Sequence, residues 1–285
     1  LGRLGIHFDR FTKESLFVTN GDVAKLMAEL GRLDINGVAD NGAQYLDLGQ
    51  RGLKGKTEFF YRRGDGSSLY ATRDIAYHRW KWTQCSELIN VLGEDHKLQA
   101  QQVGLTLEEL GERRPEVMFY SFIKLPEGKM STRRGNVVFM DDLLEEAHAQ
   151  AADVLRERRP GMNETEMDGI AEAVGTSAVR FNIVSVSPEK GFTFRWEDAL
   201  SFEAGSAPFI MYSHTRACSI RRKVLEQDAA FSEPFQAHAQ ADAETPPGLV
   251  QLLRTLAVHN DRLGKVVREH RPDLFAEYLL HLATA

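Results

Sequence analysis

Between Glu87 and Arg159 short apolar runs alternate with helix-patterned stretches, and this alternation limits the fold more than any other feature of the chain. The run ELINVLG at 87–93 is nearly continuous in apolar residues, as expected of a buried parallel strand. Residues 97–110 then read as a helix, 117–125 as a second strand and 141–159 as a long helix opened by Asp141 and Asp142. Strand, helix, strand, helix at this spacing predicts a βαβ unit in a parallel sheet.

The flanks differ in character. Residues 20–34 place Val23, Leu26, Met27, Leu30 and Leu33 at amphipathic-helix spacing. After a Gly- and Asn-rich stretch, KTEFFYRR at 56–63 reads as a strand, Gly64 to Gly66 as a tight turn, and 73–82 as a helix. Beyond residue 160 strand patterns become scarce, and 164–186, 207–227 and 249–270 all read as helices. The segment 228–248, rich in Ala, Gln, Glu and Pro, reads as a loop or insertion. The expected architecture is therefore an α/β part over 1–160 followed by an all-α part over 161–285.

Bulk properties narrow the function. A net charge of −6 over 285 residues argues against indiscriminate nucleic-acid binding, while leaving room for a local basic face. Cys85 and Cys218 are the only cysteines and lie in no metal-ligand spacing. No run approaches the length needed to span a bilayer and no leader is recognisable, so a cytoplasmic protein without membrane contact is expected.

Ligands of open α/β sheets bind at the carboxyl ends of strands. The first expected strand runs directly into Gly93, Glu94, Asp95 and His96, where Gly93 would let backbone approach a ligand and Asp95 and His96 would offer polar groups. The same residues serve equally well as caps of the following helix. The second strand leads into KLPEGKMSTRRGN at 124–136, a loop with two glycines, several cations and the hydroxyls of Ser131 and Thr132. Such a loop suits a polyphosphate, or is simply a basic surface loop.

KMSTR at 129–133 resembles the KMSKS loop of class I aminoacyl-tRNA synthetases, and KMSTRRGNV at 129–137 is similar to its arginyl form. Thr132 stands where the general pattern has its second lysine, a departure that arginyl enzymes commonly share. YATRD at 70–74 matches the Tyr-x-Thr-x-Asp motif of the arginyl family. The helix around MYSHTR at 211–216 resembles the first long helix of the DALR anticodon-binding domain.

The resemblance implies a Rossmann-type class I catalytic domain followed by a helical-bundle anticodon-binding domain, acting as a monomer. It implies ATP as co-substrate, with Mg2+ accompanying it, and L-arginine and tRNA(Arg) as partners. Lys129 would stabilise the leaving pyrophosphate; Gly93, Asp95, Met130, Ser131 and Val137 would contact the nucleotide. Tyr70, Asp74 and His96 would hold arginine, Asp74 by pairing with the guanidinium fork. Tyr212 would stack on an unpaired base, and Arg216, Arg222 and Lys223 would pair with RNA phosphates. Where many arginyl enzymes carry a Gln and a His-Phe pair, this chain has His96, Gln99 and Ala100.

The His-x-Gly-His element of class I synthetases does not occur in the sequence, and the residues around 4–11 resemble a region downstream of it. The expectation is a fragment that lacks the family's first part and the end of its anticodon domain, with negligible arginine activation by itself. Two other readings are a cysteinyl-type enzyme, which would call for several zinc ligands, and a non-catalytic RNA-binding module descended from a synthetase.

Overall fold

The computed structural model describes residues 1–124, 139–201, 203, 205–227 and 246–285. It divides into two compact units, one formed by Phe8–Ser121 and the other by Leu1–His7 together with Phe122–Ala285.

The Phe8–Ser121 unit opens with helices α1 (Ser15–Thr19) and α2 (Asp22–Leu30), followed by strands β1 (Asn36–Val38), β2 (Gln44–Asp47) and β3 (Glu58–Arg62) in an antiparallel sheet of that order. This sheet is absent from the sequence expectation apart from β3. Val23, Leu26 and Leu30 on α2 pack with Leu46, Phe59 and Tyr61 of the sheet and Ile75 of the next helix into one core. The Tyr61 hydroxyl, inside that core, donates to Asn36 Oδ1 at 2.7 Å, so the buried polar group is satisfied across the sheet.

Helix α3 (Tyr70–Trp82) follows and begins three residues earlier than its apolar pattern suggested. Its start is fixed by β3, because the Tyr61 carbonyl accepts both the Leu69 N–H and the Thr72 hydroxyl. Then come β4 (Ile89–Gly93), α4 (Lys97–Glu109) and β5 (Glu116–Tyr120). β4 and β5 pair in parallel from Ile89 opposite Glu116 to Gly93 opposite Tyr120, the strand–helix–strand arrangement expected from the sequence. The burial expected of β4 is not found: Ile89 and Val91 are 42% and 57% exposed. The sheet has two strands among the described residues.

In the other unit, β6 (Ile123–Lys124) pairs in parallel with β7 (Phe192–Thr193), so the single strand expected over 117–125 is interrupted after Tyr120. Between them in the chain lie two helices packed on each other, α5 (Met140–Arg158) and α6 (Glu164–Val184). Asn163 caps α6 by accepting the Thr165 and Glu166 N–H groups, the usual remedy for unpaired donors at a helix start. The helices share a core of Leu144, Ala147, Ala151, Ala171 and Ala178, joined by Leu4 from the amino-terminal segment. At their crossing Gly175 faces the α5 backbone: a Cβ built there would stand 2.7 Å from the Ala147 carbonyl carbon and oxygen.

Arg3 clamps this pair. Its guanidinium donates to Glu145 on α5 and, in a two-point contact, to Glu172 on α6, each with an ion-pair distance of 2.7 Å. The hydrogen bond from Arg3 holds the Glu172 carboxyl below its ordinary range.

The remaining elements are helical: α7 (Trp196–Ala199), α8 (Ala207–Gln227), α9 (Pro247–Ala257), α10 (His259–Glu269) and α11 (Pro272–Thr284). The single helix expected over 249–270 is two, because Val258 leaves helical geometry at φ −88°, ψ 4° and both helices end on it. His270, at φ 51°, stops α10 before Pro272 restarts the chain as α11. No described helix is long and apolar enough to cross a membrane.

Candidate functional site

Tyr70 and Asp74 lie one turn apart on α3, on the same face. Tyr70 is 58% exposed and borders a cleft of about 320 Å³ shared with Lys56, Glu58, Leu98, Gln99 and Gln102. Asp74 does not line that cleft. Its carboxylate lies deeper along α3, 3.3 Å from Nδ1 of His78. Thr72, between them, points into the core and ties the helix start to β3; the middle residue of the motif is thus an anchor.

The interior beside Asp74 is polar. His78 is 2% exposed, and its Nδ1 lies 2.7 Å from the Asp74 carbonyl oxygen. On the other side of the ring, Nε2 is 2.6 Å from Asn90 Nδ2 and 3.3 Å from Lys81 Nζ. Lys81 also donates to Asn90 Oδ1 at 3.0 Å and stands over the Tyr77 ring at 4.5 Å. Burial pushes the Lys81 ammonium below its ordinary value, opposed by the negative charge of Asp74 and by Cys85. None of His78, Lys81 or Asn90 was picked out from the sequence. The only local signal was the four-residue spacing of Asp74, His78 and, nearly, Lys81; Asn90 belongs to a different element.

Asn90 sits on β4, three residues before Gly93, so the network joins α3 to the strand that ends at the expected crevice. There β4 ends at Gly93 and the chain continues through Asp95 and His96 in a single short turn of helix. A Cβ at Gly93 would fall 2.6 Å from Asp95 Oδ1, so the bare glycine lets the carboxylate fold back over the strand end. His96 immediately precedes α4 but makes no side-chain capping bond, and its ring remains half-exposed, 3.9 Å from Asp95. Ser121 at the end of β5 donates to Glu94 at 2.8 Å, fastening the two strand ends to each other.

Lys129, Met130, Ser131 and Val137 lie outside the described residues. On α8, Tyr212 is 59% exposed, and Arg216, Arg222 and Lys223 are exposed as well. By the helical period of about 3.6 residues, Tyr212, Arg216 and Lys223 fall on one stripe. Arg222 starts to one side of it and reaches towards it by donating to Ser219 at 3.1 Å.

A parallel strand pair with a glycine-led turn at its carboxyl end, followed later by a helical region bearing an exposed basic stripe, describes a class I aminoacyl-tRNA synthetase catalytic domain joined to an anticodon-binding domain. Residues 5–196 match the family described as tRNA synthetases class I (R), catalytic domain, and residues 210–285 match the DALR anticodon binding domain. The chain belongs to this class I (R) family, that of the arginyl-tRNA synthetases.

Similar proteins agree along the whole length. An arginine–tRNA ligase of Methanococcoides burtonii is 41% identical over 100% of this chain and 49% of its own length. That of Methanocella arvoryzae is 44% identical, again over 100% of this chain and 48% of its own length. The chain thus spans about half the length of the curated relatives it matches. The Thermus thermophilus arginyl-tRNA synthetase structure superposes with a TM-score of 0.81 at 24% identity, covering 99% of this chain and 52% of that one, which shows a shared fold.

Proposed function

We propose that the protein is an arginine–tRNA ligase, in which the arginine carboxylate attacks the α-phosphate of ATP and the adenylate then esterifies the terminal ribose of tRNA(Arg). The observation that carries this reading is the placement of Tyr70 and Asp74 on one face of α3, with the His78 ring 3.3 Å from the carboxylate. A carboxylate accepts the paired N–H groups of a planar guanidinium, and a neighbouring phenol packs on its face. His96 completes the arginine contacts. Gly93, Asp95, Met130, Ser131 and Val137 bind ATP, and Lys129 stabilises the charge that develops on the departing pyrophosphate.

The strand pair β4–β5 is read as part of a Rossmann-type sheet, within a catalytic region over 1–160 and a helical, RNA-binding region over 161–285. Among the described residues no group of three His, Cys, Asp or Glu could hold a metal ion. Mg2+ would enter with the phosphates of ATP and offset their charge. The protein is read as a cytoplasmic monomer.

The test is charging of tRNA(Arg) with labelled arginine by the protein expressed from its complete coding region. Charging with arginine supports the reading; tRNA binding with no charging, or charging with another amino acid, overturns it. The α8 stripe gives a separate expectation. Replacing Arg216, Arg222 and Lys223 together by Ala should weaken tRNA binding and lower the slope of log affinity against log salt by about 2, as for three lost phosphate contacts on single-stranded RNA. An unchanged slope would remove these residues from the RNA interface.

A further inference from the structure

We propose that His78 is a positioning residue for the arginine site, its imidazole holding the Asp74 carboxylate in the orientation that receives the guanidinium. The inference rests on the assignment of Asp74 to arginine. The ring's hydrogen bonding fixes its tautomer. The Asp74 carbonyl can only accept, so the ring nitrogen 2.7 Å away, Nδ1, carries the hydrogen. The Nδ1–H is donated to the carbonyl, and the carboxylate oxygen stands 3.3 Å from the same nitrogen, on the side where the ring carries its positive N–H dipole.

The opposite nitrogen faces only donors. The Asn90 amide turns its oxygen to the Lys81 ammonium, which leaves its NH2 group aimed at Nε2 at 2.6 Å. Lys81 Nζ, 3.3 Å from the same nitrogen, is a second donor. Nε2 is therefore the acceptor, and the ring is clamped from β4 on one side and from α3 on the other. Since Asn90 lies on the strand that ends at Gly93, the clamp also fixes the Asp74 carboxylate relative to β4.

A buried histidine that merely filled space would not need a particular nitrogen to donate. Two near-isosteric variants separate the possibilities, both made in the protein expressed from its complete coding region. His78→Asn keeps an amide donor near the Nδ1 position; His78→Gln places its amide near Nε2 and gives up the contact with Asp74. The readout is KM for arginine and for ATP in tRNA-dependent pyrophosphate exchange, with Asp74→Ala measured alongside.

His78→Gln is expected to raise the arginine KM about tenfold, the scale of one close polar contact, and to leave the ATP KM within about twofold. His78→Asn should keep the arginine KM within about threefold of the parent. Equal arginine KM values for the two variants, or arginine and ATP KM rising together, would overturn the positioning role. If Asp74→Ala itself leaves the arginine KM unchanged, the fault lies with the assignment of Asp74, a result distinguishable from failure of the His78 inference alone.

Discussion

Replacing Asp74 by Ala should lower kcat/KM for arginine in tRNA charging by about a hundredfold to a thousandfold, the roughly 3–4 kcal/mol expected when one partner of a bidentate charge pair is removed. The effect is large because the guanidinium would still be drawn from water while its counter-charge is gone. It should appear chiefly in the arginine term, with the ATP KM little altered. Asp74→Asn should fall between the two, since it keeps an acceptor oxygen and loses the charge. The loss should not come from unfolding: the carboxylate is 28% exposed, and His78 retains its bond to the Asp74 carbonyl in either variant. Parent-like arginine kinetics in the Ala variant, measured by charging over a range of arginine concentrations, would remove Asp74 from the pocket.

Gly175 carries the largest expected effect on stability. At an ordinary helical position Gly→Ala gains up to about 1 kcal/mol of helix propensity. Here the added methyl would meet the Ala147 carbonyl carbon and oxygen at 2.7 Å and the His148 nitrogen at 3.0 Å, all of them backbone atoms of α5. Backbone inside a helix cannot swing aside as a side-chain tip can, so α5 and α6 must separate along a core that includes the fully buried Ala147 and Ala171. Overpacking of this kind costs about 1–3 kcal/mol, which outweighs the propensity gain. We expect Gly175→Ala to be destabilised by about 1 kcal/mol and Gly175→Val by about 3 kcal/mol or more, read as a fall in urea midpoint at unchanged slope. An Ala variant more stable than the parent would mean that the crossing is looser than described.

Much of this was legible in the sequence, for identifiable reasons. Helices α5, α6 and α8 announce themselves because each keeps its apolar residues at helical spacing for many turns. The β4–α4–β5 order was readable because length and apolar character separated strand from helix. The small antiparallel sheet was not, since β1 and β2 have three and four residues, too few for alternation to emerge. Asn41-Gly42 between them is a hairpin signal that passed as loop composition. The break at Val258 was hidden because apolar spacing continues across it. In the site, Tyr70 and Asp74 were visible as a motif, whereas the His78–Asn90 contact joins residues twelve positions apart on different elements and exists only once α3 packs against β4.

The clamp formed by Arg3 carries a consequence for how the chain is made. Leu1–His7 complete a unit whose other members begin at Phe122, and the bonds from Arg3 to Glu172 span 169 positions. During vectorial synthesis these seven residues leave the ribosome long before α6 exists, so Arg3 cannot meet Glu145 or Glu172 while Phe8–Ser121 is produced. Closing so long an open loop is entropically unfavourable, and the cost grows with the logarithm of its length. If the intervening unit folds on emergence, that segment ceases to behave as a flexible tether before Arg3 must find α5 and α6. The order of translation then places the collapse of Phe8–Ser121 ahead of the final docking of the amino-terminal segment.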